Sequence, residues 1–128
     1  MVPWTSAELK KIEAAEELRI ASLRKDGTLR KPVIIWVVRV GDELYVRSVK
    51  GRGSAWFRGV ESRHEGQIDA GGVLKEVSFV EETDPEVNDN IDAAYITKYR
   101  HYASIAKSMT TPAVRAATIK LVPRPPST

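Results

Sequence analysis

A chain of 128 residues, 42% hydrophobic and 29% charged, has the size and balance of one globular domain, which excludes a disordered polymer and two independent domains. It contains no cysteine, so disulfides and thiolate chemistry are excluded, and its longest apolar run, residues 33–38, falls far short of the roughly 20 residues that span a bilayer. The net charge of +3 hides a segregation: residues 19–63 carry eleven Lys and Arg against four acids, residues 64–96 carry nine acids against Lys75 alone, and six basic residues with no acid follow.

Met1 to Thr5 lacks the basic start and apolar stretch of a secretion signal, so the cytoplasm is the expected location. Thr5 and Ser6 precede an apolar series Leu9, Ile12, Ala15 at helical spacing, which predicts a short helix capped by a hydroxyl and covering one barrel mouth. Residues 18–23 alternate as a half-buried strand does, and Asp26-Gly27 supplies a turn. The β-branched run 33–40 predicts a second strand, and Gly41-Asp42-Glu43 turns it into a third over 44–49. Ser54 is placed to cap a helix holding Trp56, Phe57 and Val60. A short strand over 66–70, a Gly71-Gly72 turn and a strand ending near Val80 follow. Asp84-Pro85 opens a long helix by cap and first-turn proline, with Val87, Ile91, Ala94, Tyr95 and Tyr99 on one face. A further helical piece over 103–109 is expected to be broken by Pro112, before a last strand over 117–122. Residues 1–4 and 123–128 are expected to fray. No repeated β-α-β unit is present, so the fold class is α+β: an antiparallel barrel or bent sheet of about six strands with flanking helices.

Chemistry concentrates where the third strand leads into the Ser54 helix. Arg47, Ser48, Lys50, Arg52 and Ser54, with Gly51 and Gly53 between them, combine backbone freedom, hydroxyls, cations and a helix N-terminus, a combination that favours a phosphate or other anion. The spacing matches neither a P-loop nor a dinucleotide fingerprint, and a solvated basic loop is the competing reading. Trp36, Trp56 and Phe57 suit either a wall for a flat ring or the core. Tyr95 and Tyr99 are read as packing residues, although a phenol that reached the pocket could donate a hydrogen bond or a proton. His64 and His101 stand apart with no acidic partner at ligand spacing, so no metal site is expected. There is no Gly-x-Ser-x-Gly elbow, and no catalytic residue can be assigned. Asp89 and Asp92 are read as favourable charges near a helix start. The charge blocks either present an anion-attracting surface or pair with one another. Because aromatics and cations are not interleaved along a strand, nucleic acid is a disfavoured partner.

Residues 34–48, 54–58, 91–95, Lys98-Tyr99 and 117–123 together resemble the bacterial family catalogued as domain of unknown function 2255. The order of elements is also similar to the flavin-binding split barrel of pyridoxamine-phosphate-oxidase-like proteins and deazaflavin-dependent nitroreductases. The resemblance implies a split barrel. It also implies an FMN or deazaflavin cofactor whose phosphate meets Arg47, Ser48, Lys50, Arg52, Ser54 and Trp56, with Arg30 or Lys31 supplying a basic residue before the second strand and Trp36 facing the ring. A homodimer sharing its pocket is implied as well. The longer Gly-Arg-x-Ser-Gly turn of the deazaflavin enzymes is reduced here to residues 26–30. Three readings follow: a flavin- or deazaflavin-dependent oxidoreductase, a non-redox protein that binds or transforms a small anionic molecule in the same pocket, and a nucleic-acid-associated module.

Overall fold

The computed structural model describes residues 3–125. Helix α1 (Ser6–Ala14) opens with a reciprocal capping box, in which the Thr5 hydroxyl accepts from the Glu8 amide and the Glu8 carboxylate accepts from the Thr5 amide. Seven strands follow in one antiparallel sheet: β1 (Leu18–Ser22), β2 (Val33–Ile35), β3 (Val37–Val40), β4 (Glu43–Arg47), β5 (Glu65–Ala70), β6 (Val73–Glu81) and β7 (Thr118–Pro123). Helix α2 (Ala55–Ser62) links β4 to β5, while α3 (Pro85–Lys98), α4 (Ala103–Ser108) and α5 (Pro112–Arg115) link β6 to β7.

The strand order is β2-β1-β5-β6-β7-β4-β3. Its two edge strands are consecutive in the chain and separated by Trp36 alone, so the sheet curls into a nearly closed barrel and the chain itself crosses the remaining gap. The expected antiparallel α+β barrel is present, with seven strands among the described residues where about six were expected, and one expectation is corrected: 33–40 is two strands rather than one. Ile35 pairs with Leu18 of β1, whereas Val37 pairs with Val46 of β4. The break is held by α3. The Trp36 ring stacks on Tyr99 with centroids 3.7 Å apart and planes 1° from parallel. The Tyr99 hydroxyl accepts from the Val37 amide and shares its own proton between the Glu16 carbonyl at 2.7 Å and the Val37 carbonyl at 3.1 Å. Lys98 Nζ donates to that same Val37 carbonyl at 2.6 Å, and burial pushes its pKa down to about 8 against the pull of Glu13 and Glu16.

The barrel interior is filled by Leu18, Ile20, Leu44, Val46, Ile68, Val77, Phe79, Ile119 and Leu121, joined by Leu9 and Ile12 of α1 and Phe57 and Val60 of α2. A second core lies between the outer side of β3 and β4 and the helices, where Val38 and Tyr45 meet Ile91, Tyr95, Tyr99, Ala106, Met109 and Val114. Residues of the expected tails are tied to the sheet. Trp4 is buried and its indole donates to the Leu121 carbonyl at 3.0 Å, and Pro123 pairs with Val77. Arg124 follows with its amide on the Glu76 carbonyl and its guanidinium paired with Glu65, while residues 1, 2 and 126–128 lie outside the described residues. Pro112 does not merely end a helix; it stands at the first turn of α5. Among the described residues no helix is long and apolar enough to cross a membrane.

Candidate functional site

The strand break opens a cleft of about 690 Å³, within the range of roughly 300–1,000 Å³ usual for ligand pockets. One wall is β2 with Trp36, a second is Ala55 and Trp56 at the start of α2, and a third is Ile105 and Met109 one helical turn apart at α4. The end of β4 and the loop after it, Arg47 to Lys50 with Gly53 and Ser54, complete the lining. Most of this surface is apolar, with Ile34, Val49 and Ile105 each at least half exposed at 53%, 56% and 50%.

One end is polar. Gly51, at φ +72°, lets the chain turn sharply after β4, and its amide bonds the Ser48 carbonyl at 2.9 Å. Ser54 then caps α2 by accepting from the Phe57 amide. The Ser48 and Ser54 hydroxyls lie 2.7 Å apart, and either can donate. Two hydroxyls carry two protons and their mutual bond uses one, so a donor is left over where both residues line the cleft. Lys50 stands exposed at the rim, and no carboxylate among the described residues is within ion-pair reach of it.

Of the nine residues singled out from sequence, the cleft brings together Trp36, Arg47, Ser48, Lys50, Ser54 and Trp56, while Arg30, Lys31 and Arg52 are not part of its lining. Arg52 bonds Glu61 at 2.7 Å, Glu81 and the Ala116 carbonyl, with its guanidinium over the Phe57 ring, so its charge, although exposed, is engaged by neighbours of the fold. Arg30 lies against Gly59 of α2, where any β-carbon would meet its Nε at 3.1 Å. Lys31 is exposed just before β2. Arg47 borders the cleft, yet its guanidinium points into the protein, donating to Thr118 Oγ1, Asp92, the Met109 carbonyl and both oxygens of Asn88. Asp92 bridges Arg47 and Arg115, and Asp89 also pairs with Arg115, so these two acids serve as ion-pair partners rather than as charges near a helix start. The charge blocks do pair in part, through Arg47–Asp92, Arg52–Glu81, Arg63–Glu65 and Arg124–Glu65.

Beyond Trp36 and Trp56, the sequence carried little of the apolar walls. Ile105 and Met109 sit four apart in a segment already read as helical, a spacing that signals a shared face. The exposure of Val33 to Ile35 had no such signal, because it follows from β2 being a sheet edge. No carboxylate or imidazole lines the cleft, and among the described residues no group of three or more His, Asp and Glu is placed to hold a metal.

Residues 8–121 match the sequence profile of a bacterial family described as "Uncharacterized protein conserved in bacteria (DUF2255)". No curated protein matches the chain. Among solved structures, the F420-H2 dependent reductase FDR-A superposes with a TM-score of 0.60 at 16% identity, over 84% of this chain and 93% of that chain. HutZ, the heme storage protein from Vibrio cholerae, gives 0.65 at 12% identity over 94% and 91%. A FAD-binding protein from Mesorhizobium loti gives 0.59 at 16% identity over 97% and 93%. At these identities the likeness is one of fold.

Proposed function

Since this chain belongs to the bacterial family DUF2255 and shares its split barrel with F420-dependent and FAD-binding proteins, we propose that its cleft binds an FMN or deazaflavin cofactor. The observation that carries this reading is the pairing of an apolar, Trp-flanked slot with a single polar end made of Lys50, Ser48 and Ser54. The residues present fit such a group. Lys50 would neutralise a phosphate, the spare serine proton and the Ala55 and Trp56 amides at the start of α2 would donate to its oxygens, and Trp36, Trp56 and Ile105 would exclude water from the ring. When bound, the cofactor would supply hydride or electron transfer. The lining contains no carboxylate or imidazole to act as an acid or base, so the reaction chemistry is assigned to the cofactor and the protein's part is binding and orientation. The same lining argues against haem, because His and Cys ligands are absent from it and Met109 is its one thioether.

Titration of the purified protein with FMN and with a deazaflavin, read by calorimetry and cofactor fluorescence, tests the proposal. Micromolar or tighter binding is expected. Lys50→Ala is expected to weaken it about tenfold or more, the worth of one charge-assisted contact, while leaving the melting temperature nearly unchanged. Arg52→Ala is expected to do the reverse, lowering the melting temperature and sparing affinity, because its partners are Glu61 and Glu81. Equal affinity in Lys50→Ala and the parent chain would remove Lys50 from the site.

A second reading is a non-redox protein that takes another small anionic molecule. It is favoured by the polar end itself, which recognises an anion whatever ring is attached. Saturable binding of a simple phosphate ester with no binding of either cofactor would establish it. The exposed apolar rim at Ile34, Val49 and Ile105 is the surface on which the implied second copy would pack. Sedimentation at micromolar concentration is expected to show a dimer, and a monomer there would remove that part of the proposal.

A further inference from the structure

We infer that Tyr95 is a hydrogen-bond donor to the ring of the cofactor in this cleft, through the gap that the strand break leaves in the sheet; the inference rests on the cofactor reading above. Tyr95 is fully buried on α3, and its hydroxyl has no hydrogen-bond partner. The other buried polar groups around it are satisfied. Tyr99 bonds Val37 and Glu16, the Arg47 guanidinium makes five bonds, and Asn88 and Thr118 bond each other. The other buried side-chain atom left without a partner among the described residues, Arg30 Nε, lies against Gly59 and outside the cleft lining.

The position of this orphan hydroxyl gives it a use. The β3–β4 ladder ends at Val37 opposite Val46, and one more step would set Trp36 opposite Arg47. The chain instead crosses to β2 at Trp36, so Arg47 loses its neighbour on that side. Tyr95, which is not itself among the residues lining the cleft, lies beside Arg47. The Arg47 guanidinium stacks 5.6 Å from the centre of its ring, and the Arg47 main-chain amide is close enough to pull the phenol's pKa down, although no hydrogen bond closes to the oxygen. Burial outweighs that pull and raises the pKa, so the group keeps its proton and remains a donor. Trp36 and Met109 pack with Tyr95 in the second core, and both also line the cleft with Arg47. A ring carbonyl entering between Trp36 and a rotated Met109 side chain would meet the phenolic proton. Met109 is suited to move, being unbranched with three rotatable bonds. Phenylalanine would fill the same space without an unsatisfied hydroxyl, so tyrosine here costs stability unless something accepts its proton.

The test is Tyr95→Phe, measured by thermal unfolding without ligand and by calorimetric titration with FMN. The expected result is a melting temperature equal to or above the parent chain's, together with FMN affinity about tenfold weaker, or about 1.4 kcal/mol. A purely structural tyrosine would not give that opposition of signs. Unchanged FMN affinity would overturn the inference while leaving the cofactor reading in place. If the parent chain binds neither FMN nor a deazaflavin, the cofactor reading fails and this inference fails with it.

Discussion

Arg47→Met is expected to destabilise the protein by about 3–5 kcal/mol, the cost of breaking a buried ion pair from one side. The substitution removes all five bonds of a guanidinium that is 1% exposed, leaving the Asp92 carboxylate, Asn88 and the Met109 carbonyl facing a thioether. Those groups belong to α3 and the end of α4, while Arg47 itself ends β4. One side chain therefore ties the barrel to the helical layer, and it also fixes Ser48 and Met109 on two sides of the cleft. Urea unfolding followed by circular dichroism measures the loss. A change below about 1 kcal/mol, the scale of an exposed ion pair, would show that the network is not structural.

Gly71→Ala is expected to cost about 2–4 kcal/mol, because two effects add: an ordinary residue in the left-handed region costs about 1–3 kcal/mol, and the new methyl group has no room. Gly71 has φ +58°, and a β-carbon there would stand 2.3 Å from the Lys11 carbonyl oxygen of α1. That contact is backbone to backbone, so α1 has to lift from the β5–β6 turn, straining the packing of Leu9 and Ile12 in the barrel. Gly72→Ala serves as the control. Its φ of +85° brings the same conformational strain, but nothing lies within 4 Å of the added carbon. Equal losses in the two variants, read by chemical denaturation, would mean that α1 does not seat against Gly71.

Elements announced by local chemistry were legible in the sequence: α1 from Thr5 and Ser6 ahead of Leu9 and Ile12, α2 from Ser54, α3 from Asp84-Pro85, and the hairpin strands from β-branched runs between glycine turns. The strand break was not. Val33 to Val40 is uniformly suited to extended structure, and what divides it is the stack of Trp36 on Tyr99, a residue 63 positions away whose role no local pattern carries. Charge raised the same difficulty at the site. Lys50 and Arg52 look equivalent in a basic loop, and they differ because Glu61 and Glu81 come to rest beside Arg52 and no acid does so beside Lys50. Thr111-Pro112 repeats only the first-turn proline of Asp84-Pro85, since the Thr111 hydroxyl bonds the Ser108 carbonyl and caps nothing, so α5 was less legible than α3.

The place of β7 bears on how the chain is made. In the sheet it lies between β6 and β4, so residues 118–123 are the wedge joining β2-β1-β5-β6 to β4-β3. During synthesis, at about 5–20 residues per second, the hairpin of β3 and β4 therefore waits for its inner neighbour while some 70 further residues are added. The Trp4 indole likewise has to wait for the Leu121 carbonyl. Until then β4 exposes an unpaired edge of Leu44, Tyr45 and Val46, and a nascent chain stalled before residue 118 should be markedly more prone to chaperone capture than one stalled beyond residue 123.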